Sequence, residues 1–261
     1  MEPTPVVMTF ADLDPSGAAG IQADVETLFS MGCHCSSIAT AITAQDTYEY
    51  HDSIATDPVM MTEQARAILE DMLVSVFKVG QVGSIDTLQA IYAILRDYPE
   101  KPVIYQPSLP LQSRLFTDHL LTHIRNLLLP LSSIITINTL EANFLAPQAD
   151  TIEACINEIL DAGPEYVLVT GIGGDLRKFN NALYTNAGLQ KRWEWERLPH
   201  TYQGSGSTLS ASIAAHIAHG FDAVTSIEKA QNYTWHTLKN ARRLGMGNYV
   251  PNRMYWINSQ V

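Results

Sequence analysis

Tyr202-Gln-Gly-Ser-Gly-Ser-Thr208 places two glycines one residue apart directly before an apolar, Ala-rich segment that ends near Gly220. Glycine permits the backbone angles and close approach that turn several N–H groups toward one point, and a helix starting there adds partial positive charge. An anion is expected on that point. Gly-Ser-Gly also occurs in plain turns, so the stretch alone leaves both readings open. A second segment shifts the balance. Asp14-Pro-Ser-Gly-Ala-Ala-Gly-Ile-Gln-Ala-Asp24 follows the apolar run from Val6 to Phe10, which spells strand, glycine-rich turn and helix. Two such turns in one chain point to two ligands, or to two ends of one.

Outward from these turns, short apolar runs alternate with longer helical patterns. Strands are expected at 6–11, 37–43, 75–82, 103–106, 134–137 and 166–170, and helices at 20–31, 62–73, 85–97, 113–129 and 151–162. The alternation predicts an α/β fold with a mostly parallel sheet between helical layers. Residues 182–198 break the rhythm. There Thr185-Asn-Ala-Gly188 and Arg192-Trp-Glu-Trp-Glu196 read as an antiparallel hairpin, with Trp193 and Trp195 packing on one face. Helices at 207–219 and 223–244 complete the pattern.

The 261 residues suit one domain spanning 1–261, and an apolar content of 46% supplies a sizeable core. With 27 acidic against 16 basic residues the net charge is −11, and no basic face is visible, so nucleic acid is excluded as an expected partner. No membrane span or secretory signal is expected, which together with three unpatterned cysteines reads as a cytoplasmic protein. Cys33-His34-Cys35 lacks the second pair that a four-ligand metal site needs, and buried cysteine is the simpler reading.

Ligands of open α/β sheets bind beyond the carboxyl ends of the strands. The residues expected there are Asp12, Asp14, Gln45, Asp46, Gln81, Gln106, Asn138, Glu141 and Thr170, many polar and none basic. Asn138 with Glu141 three residues on also fits a plain helix cap.

This set resembles the ribokinase-like superfamily, and within it the hydroxymethylpyrimidine and phosphohydroxymethylpyrimidine kinases of thiamine biosynthesis. The resemblance runs from Val7 to about Tyr255. It is carried by Asp14 to Asp24 and by Thr40-Ala-Ile-Thr-Ala-Gln-Asp-Thr47, with weaker pieces at Lys78-Val-Gly80, Asn138-Thr-Leu-Glu141 and Gln203 to Ala211. It implies a ribokinase-like three-layer α/β/α sandwich with a mostly parallel central sheet and a small antiparallel hairpin. It also implies ATP and Mg²⁺ as cofactors, a small pyrimidine alcohol as substrate, and a homodimer. Gly204, Ser205, Gly206 and Ser207 would form the anion hole, and Asn138 and Glu141 would organise the cation, Glu141 through water. Asn138, Thr170 and Gly171 would meet the nucleotide. Asp12, Asp24, Gln45, Gln81 and Gln106 would face the substrate, with Gln45 reading the pyrimidine edge.

Four departures stand against that pattern. Ser207 replaces the family's Cys, or the superfamily's Asp, that receives the alcohol's proton, and a serine hydroxyl is a poor base near neutral pH. Gln106 replaces an Asp before proline, Thr170 replaces a Lys, and Asp12 replaces a Gly and pushes a side chain toward the expected pyrimidine pocket. Two readings of different class follow: an ATP-dependent kinase of hydroxymethylpyrimidine or its phosphate, and a weakly active or non-catalytic ligand-binding homologue. A kinase for another small alcohol, pyridoxine-like or bearing a positive group, is the remaining alternative.

Overall fold

Along β1 (Val6–Leu13), Val7 points to one face of the sheet while Met8 and Phe10 point to the other, and all three are buried. Burial on both faces is what a parallel strand between two helical layers requires. The computed structural model, which describes residues 4–109 and 117–257, extends this pattern to one nine-stranded sheet. The other strands are β2 (His34–Gln45), β3 (Tyr50–Ala55), β4 (Val74–Val79), β5 (Val103–Tyr105), β6 (Ile134–Asn138), β7 (Tyr166–Ile172), β8 (Lys178–Thr185) and β9 (Gly188–Glu196). Their order is β3-β2-β1-β4-β5-β6-β7-β8-β9. β2, β1, β4, β5, β6 and β7 run parallel, whereas β3, β8 and β9 pair antiparallel.

Helices cover both faces. α1 (Gly20–Ser30), α7 (Ser205–Ala218) and α8 (Ala223–Lys239) bury Leu28, Ile213 and Ile227 against Val7, Val76, Ile104 and Leu168. On the other face α2 (Pro58–Asp71), α3 (Ile85–Arg96), α4 (Asp118–His123), α5 (Thr139–Leu145) and α6 (Ile152–Asp161) pack around Phe10, Phe77, Tyr105 and Ile135. The three-layer expectation holds, and its hairpin is β8–β9, starting at Lys178 rather than at residue 182.

Several boundaries differ from the sequence reading, each for a local reason. β3 was not expected, because it is an edge strand of mixed polarity whose Ile54 faces outward. α5 was legible only as a cap. α8 stops at Lys239, five residues short of its expected end, and Asn240 closes it. The helix expected at 113–129 begins outside the described residues. Its described part is α4, capped by the Thr117 hydroxyl, followed by a π-helical turn at Ile124–Leu128 and a 3₁₀ turn at Leu129–Leu131 that contains Pro130.

Candidate active site

The turn at Gly204, where an anion hole was expected, is built as a collision that only glycine avoids. Gly204 caps α7 at φ +82°, and a Cβ there would strike the carbonyl oxygen of Ala18 and lie 2.9 Å from an Arg253 guanidinium nitrogen. The two glycine-rich turns therefore touch. Arg253 fastens them together: its Nε donates to Thr208 Oγ1 at 3.0 Å in the first turn of α7, and its other nitrogens donate to the Gly17 and Ala18 carbonyls and to Glu26. It is 2% exposed, and it was missed in the sequence because a lone arginine in a polar tail carries no pattern. Asp14 holds the first turn from inside, accepting from the Ser16 N–H and hydroxyl and from the Ala19 N–H.

One cleft of about 440 Å³ opens at the start of α7. Ser205, Gly206, Gln106, Asn138, Glu141, Thr170 and Gly171 all line it, so the structure brings these sequence-selected residues together. Asn138 and Glu141 form a reciprocal capping box at the start of α5: the Asn138 side-chain Oδ1 accepts from the Glu141 N–H, and the Glu141 carboxylate accepts from the Asn138 N–H, each at 2.9 Å. The cap and the cleft position are thus compatible. Burial of the half-buried Glu141 side chain pushes its carboxyl up to about 7, opposed by the Asn138 N–H and the Gln106 amide that hydrogen-bond to it. Gln106 stands between two groups: its Nε2 lies 3.3 Å from where a Gly206 Cβ would be, while its Oε1 is buried without a partner.

An orphaned amide oxygen beside one carboxylate is a hard-oxygen donor set. It suits magnesium, which takes few protein ligands and completes its shell with water and phosphate. Among the described residues no group of three or more His, Cys, Asp or Glu side chains is placed to hold a metal. Cys33 is buried and contacts His219 instead.

The far wall comes from elements the sequence reading did not connect. Gly171, at φ +74°, donates its N–H to Asn181 Oδ1 at 3.0 Å; Asn181 Nδ2 donates to Gln231 Oε1 at 2.9 Å, and Trp195 Nε1 donates to the same oxygen at 3.1 Å. Trp195 packs against Trp235 and lines the cleft, whereas Trp193 packs against the core and lies under the Lys191 ammonium. Arg197 adds a basic side chain that the strand-end reading lacked. Thr170 is committed to the Ile137 carbonyl through its hydroxyl.

The remaining selected residues lie elsewhere. Ser207 is buried in the first turn of α7 and does not line the cleft. Gln45 ends β2, half-buried, and Gln81 follows β4, 5% exposed. Asp24 is not free to face a substrate: it is fully buried and accepts from Lys78 Nζ at 2.9 Å, with burial pushing its carboxyl up against the pull of that ammonium. Asp12, 5% exposed, lies against the glycine turn, where a Cβ on Gly20 would sit 3.1 Å from its Oδ1; burial pushes it up to about 6.

The family model described as phosphomethylpyrimidine kinase matches residues 14–252. A probable chloroplastic thiamine biosynthetic bifunctional enzyme of Oryza sativa is 29% identical over 256 residues, covering 94% of this chain and 46% of that protein. The chain thus spans about half the length of the bifunctional relatives it matches. The hydroxymethylpyrimidine/phosphomethylpyrimidine kinase of Escherichia coli is 28% identical over 250 residues, covering 93% of this chain and 94% of that one. The pyridoxal kinase of Staphylococcus aureus, solved in complex with AMP-PCP, superposes with a TM-score of 0.88 at 19% identity over 98% of this chain and 96% of its own, a likeness of fold.

Proposed function

Because this chain belongs to the phosphomethylpyrimidine kinase family, we propose that it transfers the terminal phosphoryl group of ATP to the hydroxymethyl group of an aminopyrimidine, its monophosphate, or both. The observation that carries this reading is the cleft in which the open first turn of α7 faces Gln106 and Glu141. In such a transfer an O–P bond forms at the acceptor hydroxyl, the bond to the ADP oxygen breaks, and the hydroxyl proton leaves. Charge develops on the phosphoryl oxygens, and the backbone N–H groups of Ser205 and Gly206 at a helix N-terminus are suited to stabilise it. Arg197 and the Trp195–Trp235 wall are suited to bind the nucleotide. Magnesium, when bound, supplies neutralisation of phosphate charge, and Glu141, Asn138 and Gln106 Oε1 would hold it or its waters. Ser207 leaves the site without a strong base, which a loose phosphoryl-transfer transition state tolerates better than most reactions do.

Incubation with ATP, Mg²⁺ and hydroxymethylpyrimidine tests the reading: it requires ADP and phosphorylated pyrimidine above a no-enzyme control. A ligand-binding homologue without turnover is the second reading, favoured by Ser207 and Gln106. Ser207→Cys with Gln106→Asp would then create activity absent from the parent. We place the enzyme in the cytoplasm, with residues 1–261 as one domain around the nine-stranded sheet. No helix among the described residues is long and apolar enough to cross a membrane. We also propose a homodimer. Leu13, Ile42 and Ile54 are cross-strand neighbours on β1, β2 and β3 and are 36%, 57% and 74% exposed, an apolar row suited to a second copy. Light scattering at micromolar concentration should give twice the chain mass.

A further inference from the structure

Arg253 makes four hydrogen bonds from one buried guanidinium, and they end in three segments: the Gly17 and Ala18 carbonyls, Glu26 on α1, and Thr208 on α7. Glu26 is the carboxylate among these partners, and its side chain is 52% exposed, whereas that of Arg253 is buried. A charge buried against a half-solvated partner contributes little to stability, because desolvation offsets most of the attraction. What the guanidinium supplies is geometry, a planar fork whose donors leave in fixed directions.

The base of the fork is itself held. The Asn252 N–H donates to the Thr237 carbonyl at 3.0 Å, and the Arg253 carbonyl accepts from the Tyr233 hydroxyl at 2.8 Å, so α8 fixes the backbone from which the side chain reaches. At the other end the contact is passed on. Thr208 Oγ1 accepts from Arg253 Nε and donates to the Gly204 carbonyl at 2.8 Å, and that carbonyl also accepts the Thr208 N–H at 3.0 Å. The Gly204 carbonyl and the Ser205 N–H belong to one planar peptide group, so orienting the first aims the second. One residue earlier, the Gln203 N–H donates to the Tyr249 carbonyl at 3.0 Å, which holds the entry to the turn from the same C-terminal segment.

Resting on the kinase reading above, we infer that Arg253 is a positioning residue for phosphoryl transfer. Through the Thr208 hydroxyl and the Gly204 carbonyl it aims the Ser205 N–H, and through Gly17 and Ala18 it sets the spacing between the two glycine-rich turns. Neither effect needs contact with a ligand. A misplacement of about 1 Å at such a turn costs on the order of a hundredfold in rate. Ground-state binding of nucleotide draws on the whole cleft and loses far less.

Arg253→Lys keeps a positive charge and most of the volume, but one ammonium cannot reach Thr208, Glu26 and both carbonyls together. Two measurements on the full chain test the inference: calorimetry with an unreactive ATP analogue and Mg²⁺, and single-turnover transfer from ATP to hydroxymethylpyrimidine. The transfer rate should fall about a hundredfold in Arg253→Lys and about tenfold in Thr208→Val, with analogue affinity within about threefold of wild type in both. The double variant should be no slower than Arg253→Lys alone, because the two residues act in one chain of contacts, whereas independent structural losses multiply. Thr208→Val leaves Arg253 paired with Glu26 and keeps the test valid if Arg253→Lys does not fold. A rate within about threefold of wild type in both variants, a parallel loss of analogue affinity, or losses that multiply overturns the inference and leaves the kinase reading standing. Should the wild type transfer nothing, the kinase reading fails, and the aiming of the Ser205 N–H is read from the affinity for ADP with aluminium fluoride, which mimics a phosphoryl group in transfer. A complex about tenfold weaker or more in Arg253→Lys, with ADP affinity unchanged, supports the aiming role, and equal affinity overturns it.

Discussion

The two halves of the sheet's carboxyl edge solve the problem of polar groups in opposite ways. Around β6, β7 and α7, the Asn138–Glu141 cap and the Gly171–Asn181–Gln231 chain are hydrogen-bonded and open onto a cleft. Around β1, β2 and β4, Asp12, Asp14, Asp24 and Lys78 are buried charges, and only the last two pair with each other. The first arrangement lets ligand and solvent share the work of satisfying polar groups at little cost to the fold. The second carries an electrostatic cost in the folded state and is retained where a ligand crevice is expected, which is how binding sites commonly trade stability for recognition.

The largest expected effect falls on the buried half. Lys78→Met leaves the Asp24 carboxylate uncompensated at zero exposure, and removal of one partner from such a pair costs about 3–5 kcal/mol. Chemical denaturation should show that loss, and a cost below about 1 kcal/mol would mean that the pair is not the centre of this half.

Asp12→Asn should move stability the other way. A carboxyl raised from 3.8 to about 6 favours the folded state most below pH 4, and that contribution is lost as pH rises through 6. The difference is worth about 3 kcal/mol. The Asn variant should therefore match the wild type near pH 4 and exceed it by up to about 3 kcal/mol at pH 8. A variant no more stable at pH 8 would show that Asp12 is solvated rather than buried.

Glu141→Gln probes the open half, where stability should change little and activity much. Removing the carboxylate proposed to organise the cation should lower kcat/KM by about 10- to 100-fold. Because burial holds this carboxyl up near 7, wild-type activity should rise as pH increases through that value, as the negative form that attracts the cation becomes dominant. A flat pH profile between 6 and 8 would separate Glu141 from the chemistry.

The smallest expected effect is Ser207→Cys. A thiol is a better base than a hydroxyl, but residue 207 is buried beside the cleft rather than lining it and a loose transition state asks little of a base, so any gain in kcat should stay within about tenfold.

What the sequence made legible follows the same division. Both glycine-rich turns and the six parallel strands could be read because periodicity and backbone demands are local, and Asn138 and Glu141 because a cap is a three-residue pattern. Arg253 could not, since its role depends on three segments meeting: Gly17 and Ala18, Glu26, and Thr208. Trp195, Arg197, Asn181 and Gln231 reach one cleft wall from β8, β9 and α8 and their flanks, a convergence set by sheet order rather than by spacing. Asp24 was read as substrate-facing because its segment matched a family pattern, while its partner lies 54 residues away on β4. The apolar row of Leu13, Ile42 and Ile54 likewise has no period in the chain and exists only once β3 folds back on β2.

The most direct test of the kinase reading is a single-turnover assay with ATP, Mg²⁺ and hydroxymethylpyrimidine, following ADP and the phosphorylated pyrimidine together by mass spectrometry. The account predicts both products in equal amounts from the wild type, and their loss together when Gly204 is replaced by valine, whose side chain cannot fit against Ala18. Saturating binding of nucleotide and pyrimidine with neither product formed would contradict it and leave a ligand-binding protein built on a kinase fold.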